Sequence, residues 1–185
     1  MNRLSTFISR IGRDTSDDAE LIERDDDLHL RPAEPDEAAA LTALALAAKA
    51  SWGYDADFMA RCRDIMAISP EAVAQHPYYV IEDAMTELLG FYGFDFSDGL
   101  LTLDWLFVAP AMQGSGLGRR LFEHAVAVAR ASGFGSFQIT SDPHAEAFYQ
   151  HLGARRCGSA PSDLYADRFL PILRYELVPV TTSAR

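Results

Sequence analysis

Leu103-Asp104-Trp105-Leu106-Phe107-Val108-Ala109-Pro110-Ala111-Met112-Gln113-Gly114-Ser115-Gly116-Leu117-Gly118-Arg119-Arg120 is the segment that decides the fold. An apolar strand pattern gives way, after a proline-marked turn, to a glycine-rich helix start. Gly114, Gly116 and Gly118 stand at alternate positions and remove the Cβ atoms that would hold a ligand off the backbone. The first amides of a helix have no acceptor within it, and the positive end of its dipole lies there. The segment therefore reads as an anion cradle suited to a phosphate or diphosphate. Arg119 and Arg120 add positive charge to the first turn, and Leu117, Leu121, Ala125, Val128 and Ala129 recur at helical spacing.

Two common phosphate loops are excluded by spacing. A P-loop requires Lys and Ser or Thr after its last glycine, but Arg119 and Arg120 follow Gly118. A dinucleotide-binding loop requires G-x-G-x-x-G after the first strand of a β-α-β repeat. Here the glycines alternate, lie mid-chain and follow a run of strands.

Gln113-Gly114-Ser115-Gly116-Leu117-Gly118 resembles the Q/R-x-x-G-x-G/A loop with which the GNAT N-acetyltransferase superfamily holds the diphosphate of acyl-CoA. Val108-Ala109-Pro110 is similar to the V-x-P that ends that family's fourth strand. The run from Ala145 to Ala154, with Phe148-Tyr149 and Gly153, is similar to its A-x-x-F-Y-x-x-x-G-F/A helix. The resemblance covers residues 28–178 and is strongest over 101–154.

Length and composition agree with one globular domain: 185 residues, 49% hydrophobic, and no apolar run long enough to span a bilayer. The first 13 residues carry positive charge without the apolar core of a secretory signal, so a cytoplasmic location is expected. Cys62 and Cys157 read as free thiols of a reducing compartment, and no metal motif is present. A net charge of −11 and a pI near 4.7 argue against nucleic acid or an anionic membrane as partner and suit an amine substrate. Lys49 is the only lysine, which reads as compositional bias towards arginine.

Residues 1–27 are polar and acidic and read as a mobile or partly helical arm; 28–178 form the domain and 179–185 a tail. Strands are expected at 28–32, 78–82, 88–96, 100–108, 136–140, 155–159 and 169–177. Helices are expected at 36–49, 55–68, 113–132 and 143–151. The fold class is mixed α/β (α+β): a GNAT-like, mostly antiparallel sheet of six to seven strands flanked by helices.

The resemblance implies transfer of an acetyl group from acetyl-CoA to a primary amine of a small molecule or peptide N-terminus, by direct attack in a ternary complex. It places Phe107, Val108, Gln113, Gly114, Ser115, Gly116, Leu117, Gly118 and Arg119 at the CoA site, the backbone of Phe107 and Val108 pairing with the pantetheine amides. Tyr149 occupies the position of a tyrosine whose hydroxyl protonates the departing thiolate; the alternative is an aromatic packed on the sheet. Asp104 stands where relatives carry an acid on the fourth strand, so it is either the proton acceptor or a solvated strand carboxylate. Glu82 and Asp95 compete for the base role. Where the family's helix often begins with an Asn that contacts pantetheine, this chain has Pro143-His144. His144 either replaces that contact or faces solvent.

Trp52 and Tyr54, flanking Gly53, are the acceptor-site candidates, suited to gripping a cationic amine by its face or to plugging the loop hydrophobically. Residues 159–170 form a candidate opposite wall. A non-catalytic acyl-CoA sensor and a cofactor-free interaction module are the competing readings. A homodimer is compatible with the resemblance, though no residue specifies one.

Overall fold

The alternating aromatic and aliphatic residues of 78–108 form three consecutive antiparallel strands, the centre of a seven-stranded sheet. The computed structural model describes residues 28–97 and 99–177; the expected N-terminal arm and C-terminal tail lie outside them. The strands are β1 (Leu28–Pro32), β2 (Tyr78–Asp83), β3 (Leu88–Ser97), β4 (Leu100–Val108), β5 (Ser136–Thr140), β6 (Arg155–Pro161) and β7 (Phe169–Glu176). Their order is β1-β2-β3-β4-β5-β7-β6. Every neighbouring pair is antiparallel except β4 and β5.

Successive residues of a strand face opposite sides, so each strand contributes to two cores. Tyr79, Ile81, Tyr92 and Phe94 pack with Leu121, Phe122 and Ala125 of helix α4 (Leu117–Ala131). Tyr78, Val80 and Phe91 pack on the other face with Leu41 and Ala45 of α1 (Ala38–Ala50) and Phe58 and Cys62 of α2 (Ala56–Ile65). No helix among the described residues is long and apolar enough to cross a membrane.

Strand boundaries follow the sequence pattern closely, whereas helix starts depart from it. The helix expected over 55–68 is the shorter α2, capped by the Asp55 carboxylate on the Phe58 amide at 2.8 Å, and a helix that the sequence pattern did not indicate follows it, α3 (Pro70–Gln75), capped by Ser69 Oγ on the Ala72 amide at 3.1 Å. Pro70 suits the first position of this helix and favours the extended conformation of Ser69 before it. The helix expected from 143 begins at Glu146 as α5 (Glu146–His151). Before it, Asp142 makes an Asx turn, accepting from the His144 amide at 3.0 Å while Ala145 donates to the Asp142 carbonyl at 2.9 Å.

β4 contains one residue more than β3 can pair. Trp105 opposes Gly93 and Leu103 opposes Phe94, leaving Asp104 as a bulge. The extra residue reverses the facing of everything beyond it. Leu101 and Leu103 point to the α4 side, but so do the even-numbered Leu106 and Val108, while Trp105 and Phe107 turn to the α1 side. Pairing of β4 with β5 is confined to Thr102–Gln138 and Leu103–Ile139, so from the bulge onward β4 has an open edge.

Candidate active site

A cleft of about 390 Å³ opens along that unpaired edge. The loop of residues 113–116 and the first turn of α4 form one end, Leu106–Val108 one side, and Ala145, Phe148 and Tyr149 the other; Ala48 and Trp52 close it from the α1 side.

The glycines of the loop serve two purposes. Gly114 (φ +81°) and Gly116 (φ +95°) adopt the left-handed conformation that L side chains avoid, and a Cβ at either would point into open space. Gly118 is helical, and there a Cβ would press on the Phe148 ring at 3.3 Å. Because Gly116 is left-handed, α4 starts at Leu117 and not at the expected residue 113. The Gln113 and Ser115 amides are spent on the Pro110 and Met112 carbonyls at 3.3 and 3.2 Å. Gly114, Gly116, Gly118 and Arg119 line the cleft, and the amides of Gly118 and Arg119 have no acceptor within the helix. A diphosphate fits this corner: donors converge where no Cβ intrudes.

Of the residues expected at the CoA site, Phe107, Val108, Gln113, Gly114, Gly116, Gly118, Arg119 and His144 line the cleft. Two point elsewhere. Leu117 is buried in the core beneath α4, and Ser115 turns its hydroxyl back to the Met112 carbonyl at 2.7 Å. The Gln113 side chain is held by Ser51 at the end of α1, its Nε2 donating to Ser51 Oγ at 3.0 Å.

Tyr149 lines the cleft and is 5% exposed. Burial pushes its phenol further above its ordinary range, so the hydroxyl stays protonated at neutral pH.

Asp104 sits on the bulge, outside the cleft lining, and interacts electrostatically with Asp95, His76 and Tyr78. Its side chain remains open to solvent, yet the protein packed around it, helped by the Asp95 carboxylate and opposed by His76, raises its pKa above the usual aspartate value. Asp95 lies 3.4 Å from His76 Nδ1. Glu82 is engaged elsewhere: Arg31 at 2.7 Å, chiefly, and His29 at 3.4 Å hold its pKa down at the β1 edge.

Trp52 lines the cleft with its ring stacked 6.1 Å from Phe107 and 6.0 Å from His144. Tyr54 does not. Its ring stacks on Phe58 at 4.0 Å and meets His144 edge-on at 5.1 Å. The cation expected at its face is supplied by the chain itself, with Lys49 Nζ 5.6 Å and the Arg168 guanidinium 5.7 Å from the ring centre.

The group that sequence reasoning missed is Asp142. Its side chain is 6% exposed, and Oδ2 accepts from Lys49 Nζ at 2.7 Å and Arg168 Nη2 at 2.9 Å. Oδ1 accepts from the Tyr54 hydroxyl at 2.8 Å and the His144 amide at 3.0 Å. Burial alone would raise this carboxyl, but Lys49, the His144 amide and Tyr54 together outweigh it and the pKa is lowered. Burial and Asp142, against Arg168, push Tyr54 up to about 12. Lys49, read from composition as a bias, is thus a buried ion-pair partner. Removing the carboxylate would leave two cations without their counter-charge, a loss on the order of 3–5 kcal/mol. The only sequence signals were a lone lysine and an Asp directly before proline.

Among the described residues, no group of His, Cys, Asp and Glu is arranged to hold a metal ion.

Residues 74–153 match the family model of the acetyltransferase (GNAT) domain. The fold is that of the GNAT N-acetyltransferases. A GCN5-related N-acetyltransferase from Rhodopseudomonas palustris superposes with a TM-score of 0.68 at 19% identity, over 80% of this chain and 95% of that one. PaiA N-acetyltransferase from Thermoplasma acidophilum, solved with coenzyme A, gives 0.67 at 13% identity over 80% and 98%. YncA from Salmonella typhimurium, solved with acetyl-CoA, gives 0.57 at 20% identity over 81% and 94%.

Proposed function

We propose that this protein transfers an acetyl group from acetyl-CoA to a primary amine of a small molecule or peptide N-terminus, by direct attack within a ternary complex. The observation that carries the reading is the cleft itself. A glycine loop with converging amides at one end leads along an open strand edge to a buried, protonated Tyr149.

Bound acetyl-CoA supplies an activated thioester. The loop amides of Gly114, Gly116, Gly118 and Arg119 hold the diphosphate, and the open edge at Leu106–Val108 offers backbone groups to the pantetheine amides. Asp104, with its raised pKa, takes the proton of the ammonium directly or through water, so that nitrogen can attack the acyl carbon. As the carbon–sulfur bond breaks, Tyr149 donates its hydroxyl proton to the thiolate, and the second proton that the nitrogen sheds on becoming an amide restores the phenol. An acidic chain of net charge −11 suits a cationic acceptor, and the unbridged Cys62 and Cys157 suit a reducing cytoplasm.

Release of free thiol from acetyl-CoA, followed over a broad panel of primary amines, tests the reading; at least one amine is expected to accelerate it. Tyr149→Phe is expected to lower kcat by about 10²-fold while acetyl-CoA affinity stays within about twofold. An unchanged kcat removes Tyr149 from its role. Binding without thiol release for any amine would favour a sensor.

A further inference from the structure

Asp142 is not among the residues lining the cleft, yet it holds His144, which is, and Lys49 and Tyr54, which meet the lining rings of Trp52 and His144. Through the backbone amide it sets His144, whose ring lines the cleft and stacks on Trp52. Through Lys49 it places a cation 5.6 Å from the Trp52 ring centre, behind that ring. Through its bonds to Tyr54 and Arg168 it ties the α1–α2 link to the β6–β7 loop. One carboxylate therefore joins three stretches of chain, 49–54, its own 142–144 and the loop at Arg168, and the two rings that face the cleft from this side, Trp52 and His144, both depend on it.

We propose that Asp142 is a positioning residue that fixes Trp52 and His144 as the wall for the pantetheine arm, without acting on the diphosphate. This inference rests on the donor reading above. The loop is built from its own bonds to Pro110 and Met112 and joins α1 through Gln113 and Ser51, none of which involves Asp142. A side chain that merely stabilised the fold would affect all ligands alike. A positioning residue affects those that reach the wall.

Calorimetric titration with two ligands separates these cases: acetyl-CoA, which carries the pantetheine arm, and ADP, which offers the loop a diphosphate and ends there. In Asp142→Asn the Kd for acetyl-CoA is expected to rise about tenfold, while that for ADP stays within about twofold. Lys49→Met, which leaves the Asp142–Arg168 pair in place, is expected to shift acetyl-CoA in the same direction and so replaces the first variant should it not fold. His144→Ala is expected to weaken acetyl-CoA similarly, and combining it with Asp142→Asn should add little, since both act on one wall. Equal weakening of both ligands, or of neither, overturns the proposal. A wild-type protein that binds neither ligand overturns instead the donor reading on which it rests.

Discussion

Gly116→Glu is expected to weaken acetyl-CoA binding by at least about 100-fold, equivalent to roughly 2.7 kcal/mol. Two separate penalties combine. Gly116 has φ +95°, and holding a side-chain-bearing residue in the left-handed region costs about 1–2 kcal/mol. The new carboxylate also stands in a corner shaped for anions, where it repels the diphosphate and competes for the same amides. The fold should survive, because a Cβ at this position meets nothing within 4 Å. Gly116→Ala carries the strain without the charge and should fall between the two proteins. Calorimetry with acetyl-CoA measures all three; wild-type affinity in the Glu variant would show that the loop does not hold the donor.

The second large effect concerns the proton acceptor. Asp104→Asn is expected to reduce kcat/KM by about 10²–10⁴-fold, the usual worth of a positioned base. The pH profile identifies the group. A carboxylate acts as base only when ionised, so activity falls as pH drops through its pKa. The protein packed around it and the nearby Asp95 raise that pKa, so the acidic limb of the wild-type profile should lie above the ordinary aspartate value near 3.8. The Asn variant should lose that limb and keep a low, flatter rate. A variant with an unchanged rate and limb would transfer the role to another group, Asp95 beside His76 being next in position.

The strands were legible because each depends on a local pattern of alternation, and the glycine loop because its residues, together with those of 145–154, resemble two motifs of one family. What stayed hidden depended on distant partners. The bulge at Asp104 arises from pairing the nine residues of β4 with the eight of β3 from Gly90 to Ser97, and no local pattern in 100–108 marks it. Its consequence, the reversed facing of Trp105 to Val108, decides which side chains meet the cleft. Helix starts were missed for a related reason. Gly116 adopts a left-handed backbone conformation that keeps it and the residues before it out of the helix, and apolar periodicity does not register that. Ser115 and Leu117 belong to the stretch expected at the CoA site, yet alternate residues of that stretch turn inward. Asp142 gathers partners 93, 88 and 26 residues away, a constellation that spacing along the chain cannot show.

Backbone amide chemical shifts of the isotope-labelled protein, followed during titration with acetyl-CoA, test most directly whether residues 113–119 grip the donor. The largest changes are expected at Gly114, Gly116, Gly118 and Arg119, saturating at one equivalent, with smaller changes along Leu106–Val108. A saturable titration that leaves those four amides unmoved would contradict the account.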